Sequence, residues 1–285
     1  MGDPAPGGGW RGWTRLLADG LRDPELLNLA LIGARAKHVE RDQLPAALEF
    51  RPDIATVIVG INDTLRAGFD PVRTGQSVAR TVAALRSSGA AVLTMRLPDP
   101  ARMFRLPDGL ARPLTHRMMT VNAELDRVAA RYGTLHWDAS VDPQTYDQRN
   151  WSVDRLHPNE RGHRLVASRF WDALNAAGTE LGPRPSMVPT SPPPTRRDEI
   201  TWMATKGTMW FLRRSLDLIP YMLFMAAREW VSGPQEFPQP PEWLPEADPE
   251  TEAVAGTEAV AETEAVAETE ARWLSPVDDP EPVAE

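Results

Sequence analysis

Residues 54 to 63, Ile-Ala-Thr-Val-Ile-Val-Gly-Ile-Asn-Asp, constrain the fold of this chain more than any other stretch. Ile54, Ala55, Val57, Ile58 and Val59 form a short apolar run, which reads as a strand buried on both faces of a parallel sheet. The run stops at Gly60, and Asn62 and Asp63 follow at once. An amide and a carboxylate therefore stand at the carboxyl end of a parallel strand, the edge of an open α/β sheet where ligands bind. About ninety residues later, Asp154 and His157 stand three positions apart, just before an amphipathic segment. A carboxylate that fixes a His tautomer, together with an amide that donates to an oxyanion, supplies three parts of an acyl-transfer site. The fourth part is a nucleophile.

The surrounding pattern alternates strands and helices, the signature of an α/β sheet covered on both sides. Trp10, Trp13, Leu16, Leu17 and Leu21 share one helical face, and a helix over 10–21 is expected. Residues 27–32, Leu-Asn-Leu-Ala-Leu-Ile, read as the next strand. Val39, Leu44 and Leu48 follow at helical spacing, with Pro45 breaking the helix. Asp70 and Pro71 are a cap followed by a first-turn proline, and Gly89 ends that helix before a strand over 90–95. A helix over 114–131, a short strand over 134–138 and a last helix over 159–177 complete the pattern, the last packing through Leu165, Val166, Phe170 and Leu174.

These residues resemble the SGNH or GDSL-type serine esterases and lipases, whose sequence blocks carry Ser, Gly, Asn and His. The segment 28–33 is similar to the second block and gives Gly33. The segment 59–63 is similar to the third and gives Asn62, and 154–158 is similar to the fifth and gives Asp154 and His157. The resemblance covers roughly residues 10–178. It implies a three-layer, flavodoxin-like parallel sheet and hydrolysis of small-molecule carboxylic esters through a serine acyl-enzyme. No cofactor and no nucleic-acid partner are implied. In this reading His157 is the general base, Asp154 orients its ring, and the Gly33 N–H and the Asn62 amide form the oxyanion hole, while Asp63 orients the loop. The family's first block, a strand ending in Gly-Asp-Ser, has no counterpart here. Gly2, Asp3 and Pro4 lie too close to Trp10 to serve, so Met1 is expected to be an internal methionine of a longer reading frame. In the family's strand order, 2-1-3-4-5, the absent strand is an inner one, and its loss would leave sheet edges unpaired. The alternatives are a binding paralogue that keeps the pocket without catalysis, and a scaffold acting through its C-terminal part. Should the chain hydrolyse esters as it stands, Ser140 and Ser152 are the first substitute nucleophiles to test.

The rest of the chain differs in composition. Six prolines between Gly182 and Thr195 suggest an exposed linker over 181–195. Residues 196–232 carry Ile200, Met203, Met209, Trp210, Leu212 and Leu216 at helical spacing beside Arg213 and Arg214. They read as helices that pack on the hydrolase domain, as an interfacial or acyl-chain-binding element, or as a protein docking site. From 233 onward the sequence is Pro, Glu and Ala, with the repeat TEAVAG, TEAVAE, TEAVAE at 251–268. Residues 236–285 contain 15 acidic side chains and one Arg, so this tail carries −14 of a total charge of −9 and the rest of the chain is +5. A tail of that composition buries too little apolar surface to offset its ordering entropy, and disorder is expected.

There are no cysteines, which excludes disulfides and thiolate metal sites. The histidines at 38, 116, 136, 157 and 163 have no metal-ligand spacing. The start lacks a charged-then-apolar leader, so a cytoplasmic location is expected. The ten-residue apolar run 218–227 is shorter than the ~20 residues that span a bilayer.

Overall fold

A computed structural model describes residues 3–4, 10–66, 68–152 and 157–190, with positions 223, 224, 227, 228, 230, 231 and 233 beyond them. All of these lie in Met1–Phe237, the first of two units into which the chain divides. The tail and most of the 196–232 segment lie outside the described residues. No described helix is long and apolar enough to cross a membrane.

A short antiparallel ladder joins β1 (Asp3–Pro4) to β2 (Trp10–Arg11). The main sheet is parallel and has the order β3 (Ile54–Val57), β4 (Ala91–Arg96), β5 (Leu135–Asp138). Its register pairs Ile54 with Ala91 and Leu93 with Leu135. Between these strands run the helices that the sequence pattern leads one to expect. Asp70 accepts from the Arg73 amide and starts α5 (Pro71–Ser87). Gly133, left-handed at φ 61°, closes α7 (Asp108–Tyr132). Asn159 takes the amides of Arg161 and Gly162 and starts α8 (Glu160–Ala176). The expected break at Pro45 takes the form of a π-helical stretch, Val39–Gln43, between α2 (Ala36–His38) and α3 (Leu44–Phe50). α4 (Ile61–Thr64) is the turn that follows β3, and α6 (Pro100–Phe104) lies in the loop after β4.

Two layers of helix sandwich the sheet. On one face α1 (Trp13–Ala18) packs beside α8, and Leu16, Leu17, Phe170 and Leu174 close over Leu93. Trp13 and Trp137 stack at an angle against Phe170, with ring centres 5.4 and 6.0 Å away. On the other face α5 and α7 bring Val78, Val82, Val121 and Val128 into the core. β4 is sealed on both sides and along both edges, and Val92, Leu93 and Thr94 are all buried. Full burial of a side chain such as Leu93 contributes roughly 1.5–3 kcal/mol. Residues 181–190, the first part of the proline-rich stretch, lie along α8: Arg164 donates to the Ser186 carbonyl and Arg184 pairs with Asp172.

The expected strand over 27–32 does not form. Residues 24–31 are irregular, and Leu31 and Ile32 are 62% and 81% exposed. The physical reason lies next to it, since among the described residues nothing pairs with the outer edge of β3. A strand holds its backbone N–H and C=O groups only through a neighbour. Without that neighbour, residues 27–32 give those groups to water and to a local turn, in which Asn28 accepts from the Ala30 amide. The same open edge explains why Ile54 and Ala55, expected to be buried on both faces, are only partly covered.

Candidate functional site

The carboxyl ends of the three strands lead into three loops, and the residues singled out from sequence sit on these loops or, like Gly33, on a turn that contacts one of them. β3 runs into Gly60, whose φ of +126° no side chain adopts cheaply. A Cβ there would also stand 3.1 Å from a methyl of Leu97 and 3.3 Å from one of Val121. Glycine lets the backbone turn over those side chains and enter α4, which carries Asn62 and Asp63.

Asn62 is half-buried, and its Nδ2 donates to the Ala34 carbonyl at 3.0 Å. A primary amide has two N–H groups, so one anchors the side chain and the other can serve a ligand. Asp63 is buried, and both of its carboxylate oxygens take the Ala36 amide at 3.2 Å. Burial pushes its pKa up to about 6, while the Ala36 amide bond and the charges of Arg35 and Arg66 pull the other way. Gly33 lies in the turn that these two residues grip, left-handed at φ +79°, and a Cβ on it would meet nothing within 4 Å. The structure therefore brings the Gly33 turn and the Asn62 loop together, although they are 29 residues apart in sequence.

His157 is exposed, on the loop between β5 and α8. Its carbonyl accepts both the amide and the hydroxyl of Ser152 at 2.9 Å. The Ser152 hydroxyl is thus directed to the His157 backbone, and the Ser140 hydroxyl donates to Asp138 at 2.5 Å. Asp154, expected to orient His157, lies outside the described residues. His163 is a core residue: its Nδ1 accepts the Trp13 amide at 3.3 Å, and burial lowers its pKa to about 4, with His157 adding to the effect. It is neutral at physiological pH and forms part of the packing of α1 on α8.

Three further side chains shape the site, and the sequence reading did not single them out. From α7, Arg117 donates to the Thr64 and Arg66 carbonyls at 3.0 and 2.8 Å and closes the end of α4. Asn122 clamps the main chain of Leu97 with two bonds of 2.8 Å, fixing the exit of β4. Tyr146 donates to the Ser140 carbonyl and accepts the Asp99 amide, which ties the exits of β4 and β5 together. Each acts across 25 or more residues in at least one of its bonds, and no local motif announces such a contact.

Residues 1–165 match the model of the GDSL-like lipase/acylhydrolase family. The chain belongs to that family. Solved structures similar to it include the psychrotrophic esterase EstA from Pseudoalteromonas sp., at 20% identity over 58% of this chain and 87% of that one, with a TM-score of 0.46. TesA is 23% identical over 58% of this chain and 88% of its own, with a TM-score of 0.45. An acetylxylan esterase from Geobacillus stearothermophilus is 16% identical over 64% and 85%, with a TM-score of 0.47. No curated protein matches the chain in sequence. Membership places the GDSL-like lipase/acylhydrolase member among ester-type hydrolases, with small-molecule esters as the substrate class of its family.

Proposed function

We propose that this protein is the scaffold of a serine esterase whose nucleophile arrives on a strand paired with the open edge of β3. The observation that carries this reading is the grip of Asn62 and Asp63 on the turn after Gly33, at the carboxyl side of the sheet. Two hydrogen-bond donors held in a fixed relation at that edge suit an oxyanion that develops in an acyl-transfer transition state. The serine hydroxyl attacks the ester carbonyl while His157 takes its proton. The tetrahedral oxyanion rests on the Gly33 N–H and the Asn62 amide. Collapse expels the alcohol, to which His157 returns the proton, and water then repeats the sequence on the acyl-enzyme. Asp154 holds the imidazole in the tautomer that accepts from serine.

The open edge of β3 and the exposed Leu31 and Ile32 support a further strand at that edge. Leu223, Phe224, Trp230 and Val231, all exposed, support a contact of the 196–232 segment with acyl chains or a lipid surface. The test is to read the nucleotides upstream of the Met1 codon and to express both products. The longer product should carry an apolar strand ending in Gly-Asp-Ser and hydrolyse p-nitrophenyl acetate, with loss of turnover in His157→Ala. The 285-residue chain should show no turnover above its own His157→Ala variant. Turnover by the 285-residue chain that vanishes with His157→Ala would overturn the proposal and move the nucleophile into residues 1–285.

A further inference from the structure

We propose that Asp63 is a positioning residue that sets the geometry of the oxyanion hole by holding the turn after Gly33 in register with Asn62. This inference rests on the reading of Gly33 and Asn62 as oxyanion donors. Asp63 and Asn62 are neighbours on α4, and they grip the same turn at two points, the Ala36 amide and the Ala34 carbonyl. Ala36 opens α2, so its N–H has no partner inside its own helix. Asp63 supplies that partner from a different segment, 27 residues away. Arg117, reaching from α7 to the Thr64 and Arg66 carbonyls, fixes α4 from behind. The chain of contacts therefore runs from α7 through α4 to the turn, and leaves the Gly33 N–H with little freedom relative to the Asn62 amide.

Asp63 sits there at a disadvantage to the fold, since its ionised carboxylate is buried and partnered by a backbone amide rather than by an ion pair closer than 4 Å among the described residues. An oxyanion hole requires donors within about 2.7–3.1 Å of the developing charge, so a rigid relation between them has a use that stability alone does not supply.

The experiment compares Asp63→Ala and Asp63→Asn with the unchanged 285-residue protein by amide hydrogen exchange. Asp63→Ala should speed exchange at Ala36 and across residues 33–36 by about tenfold or more, as expected for one lost hydrogen bond, with Val92 and Leu93 unchanged. Asp63→Asn keeps an acceptor and should restore most of that protection. Unaltered exchange at Ala36 in Asp63→Ala, or loosening spread equally to Val92 and Leu93, overturns the proposal. In a serine-bearing longer product, Asp63→Ala should lower kcat by about tenfold or more, with KM within threefold and rescue by Asp63→Asn. Loosened exchange with an unchanged kcat also overturns it. If the longer product does not hydrolyse esters at all, the reading of the site fails separately, and the exchange comparison still decides whether Asp63 holds the turn.

Discussion

Two apolar runs of similar length meet opposite fates in this molecule. Residues 91–96 form β4, with Val92, Leu93 and Thr94 fully buried between two helical layers and two strands. Residues 27–32 are at least as apolar, yet they run as irregular chain with Leu31 and Ile32 in solvent. Composition does not separate them, and neither does periodicity. The difference is a ladder partner: β4 has one on each side, whereas among the described residues none pairs with 27–32 and the outer edge of β3 stays unpaired. A strand is a property of a pair, and an apolar pattern only states that a segment would be buried if a neighbour were supplied.

The largest effect separates the two regions by stability. Phe170→Ala should lower the unfolding free energy by about 3–5 kcal/mol, because Phe170 is sealed between Trp13, Trp137 and β4. Ile32→Ala should change it by less than about 0.5 kcal/mol. Urea unfolding of both variants checks the contrast, and equal losses would mean that 27–32 is packed after all.

The catalytic counterpart is Asn62→Ala in a serine-bearing longer product, which should lose about 100-fold or more in rate, roughly 3 kcal/mol in the transition state. The bond to the Ala34 carbonyl adds a stability loss of about 1 kcal/mol. A rate loss no larger than the stability loss would mark Asn62 as a turn residue only.

Much of the fold was legible because its signals are local. Asp70 with Pro71, Gly89 and the break before Pro45 each act within one turn of helix, and the elements they bound begin or end close to the expected places, whereas α7 starts six residues before the expected 114 and α1 covers only Trp13–Ala18 of the expected 10–21. Gly33 and Asn62 were singled out through the blocks that contain them, and the structure brings their two loops together. Arg117, Asn122 and Tyr146 were not, since the carbonyls and amides they bind belong to distant segments. The strand over 27–32 misled for the reason already seen, since the pattern was present and the partner was not.

Asp63 sharpens the comparison through pH. Its folded pKa of about 6 lies above the ordinary value of 3.8, so between these limits the folded state holds a proton that the unfolded state has released. The contribution of Asp63 to stability is full below about pH 4 and is lost as pH rises toward 6. The loss is on the order of 2–3 kcal/mol at most. Asp63→Asn should remove this slope and melt higher than the unchanged protein at pH 7. A melting temperature with the same pH profile in both proteins would show that Asp63 is not buried as described.

The smallest expected effect concerns the tail. Removing residues 236–285, with their net charge of −14, should leave the melting transition unchanged and raise the isoelectric point. Removing everything from Arg196 also takes away Trp202, Trp210, Phe211, Leu216 and Leu223, and should lower solubility or stability, or abolish long-chain ester hydrolysis in a serine-bearing product while sparing acetate esters. Identical behaviour of the two truncations would deny the 196–232 segment any role in the hydrolase domain.

Amide hydrogen exchange across residues 27–32 and 54–57, measured in the 285-residue chain and in a longer product, tests the proposed pairing of a further strand with β3 most directly. In the 285-residue chain, 27–32 should exchange at rates near those of unstructured peptide, while 91–96 is protected to the level of global unfolding. In the longer product 27–32 should become protected, together with the amides on the outer edge of β3. Protection of 27–32 already present in the 285-residue chain, or no gain on its extension, would contradict a nucleophile-bearing strand at that edge.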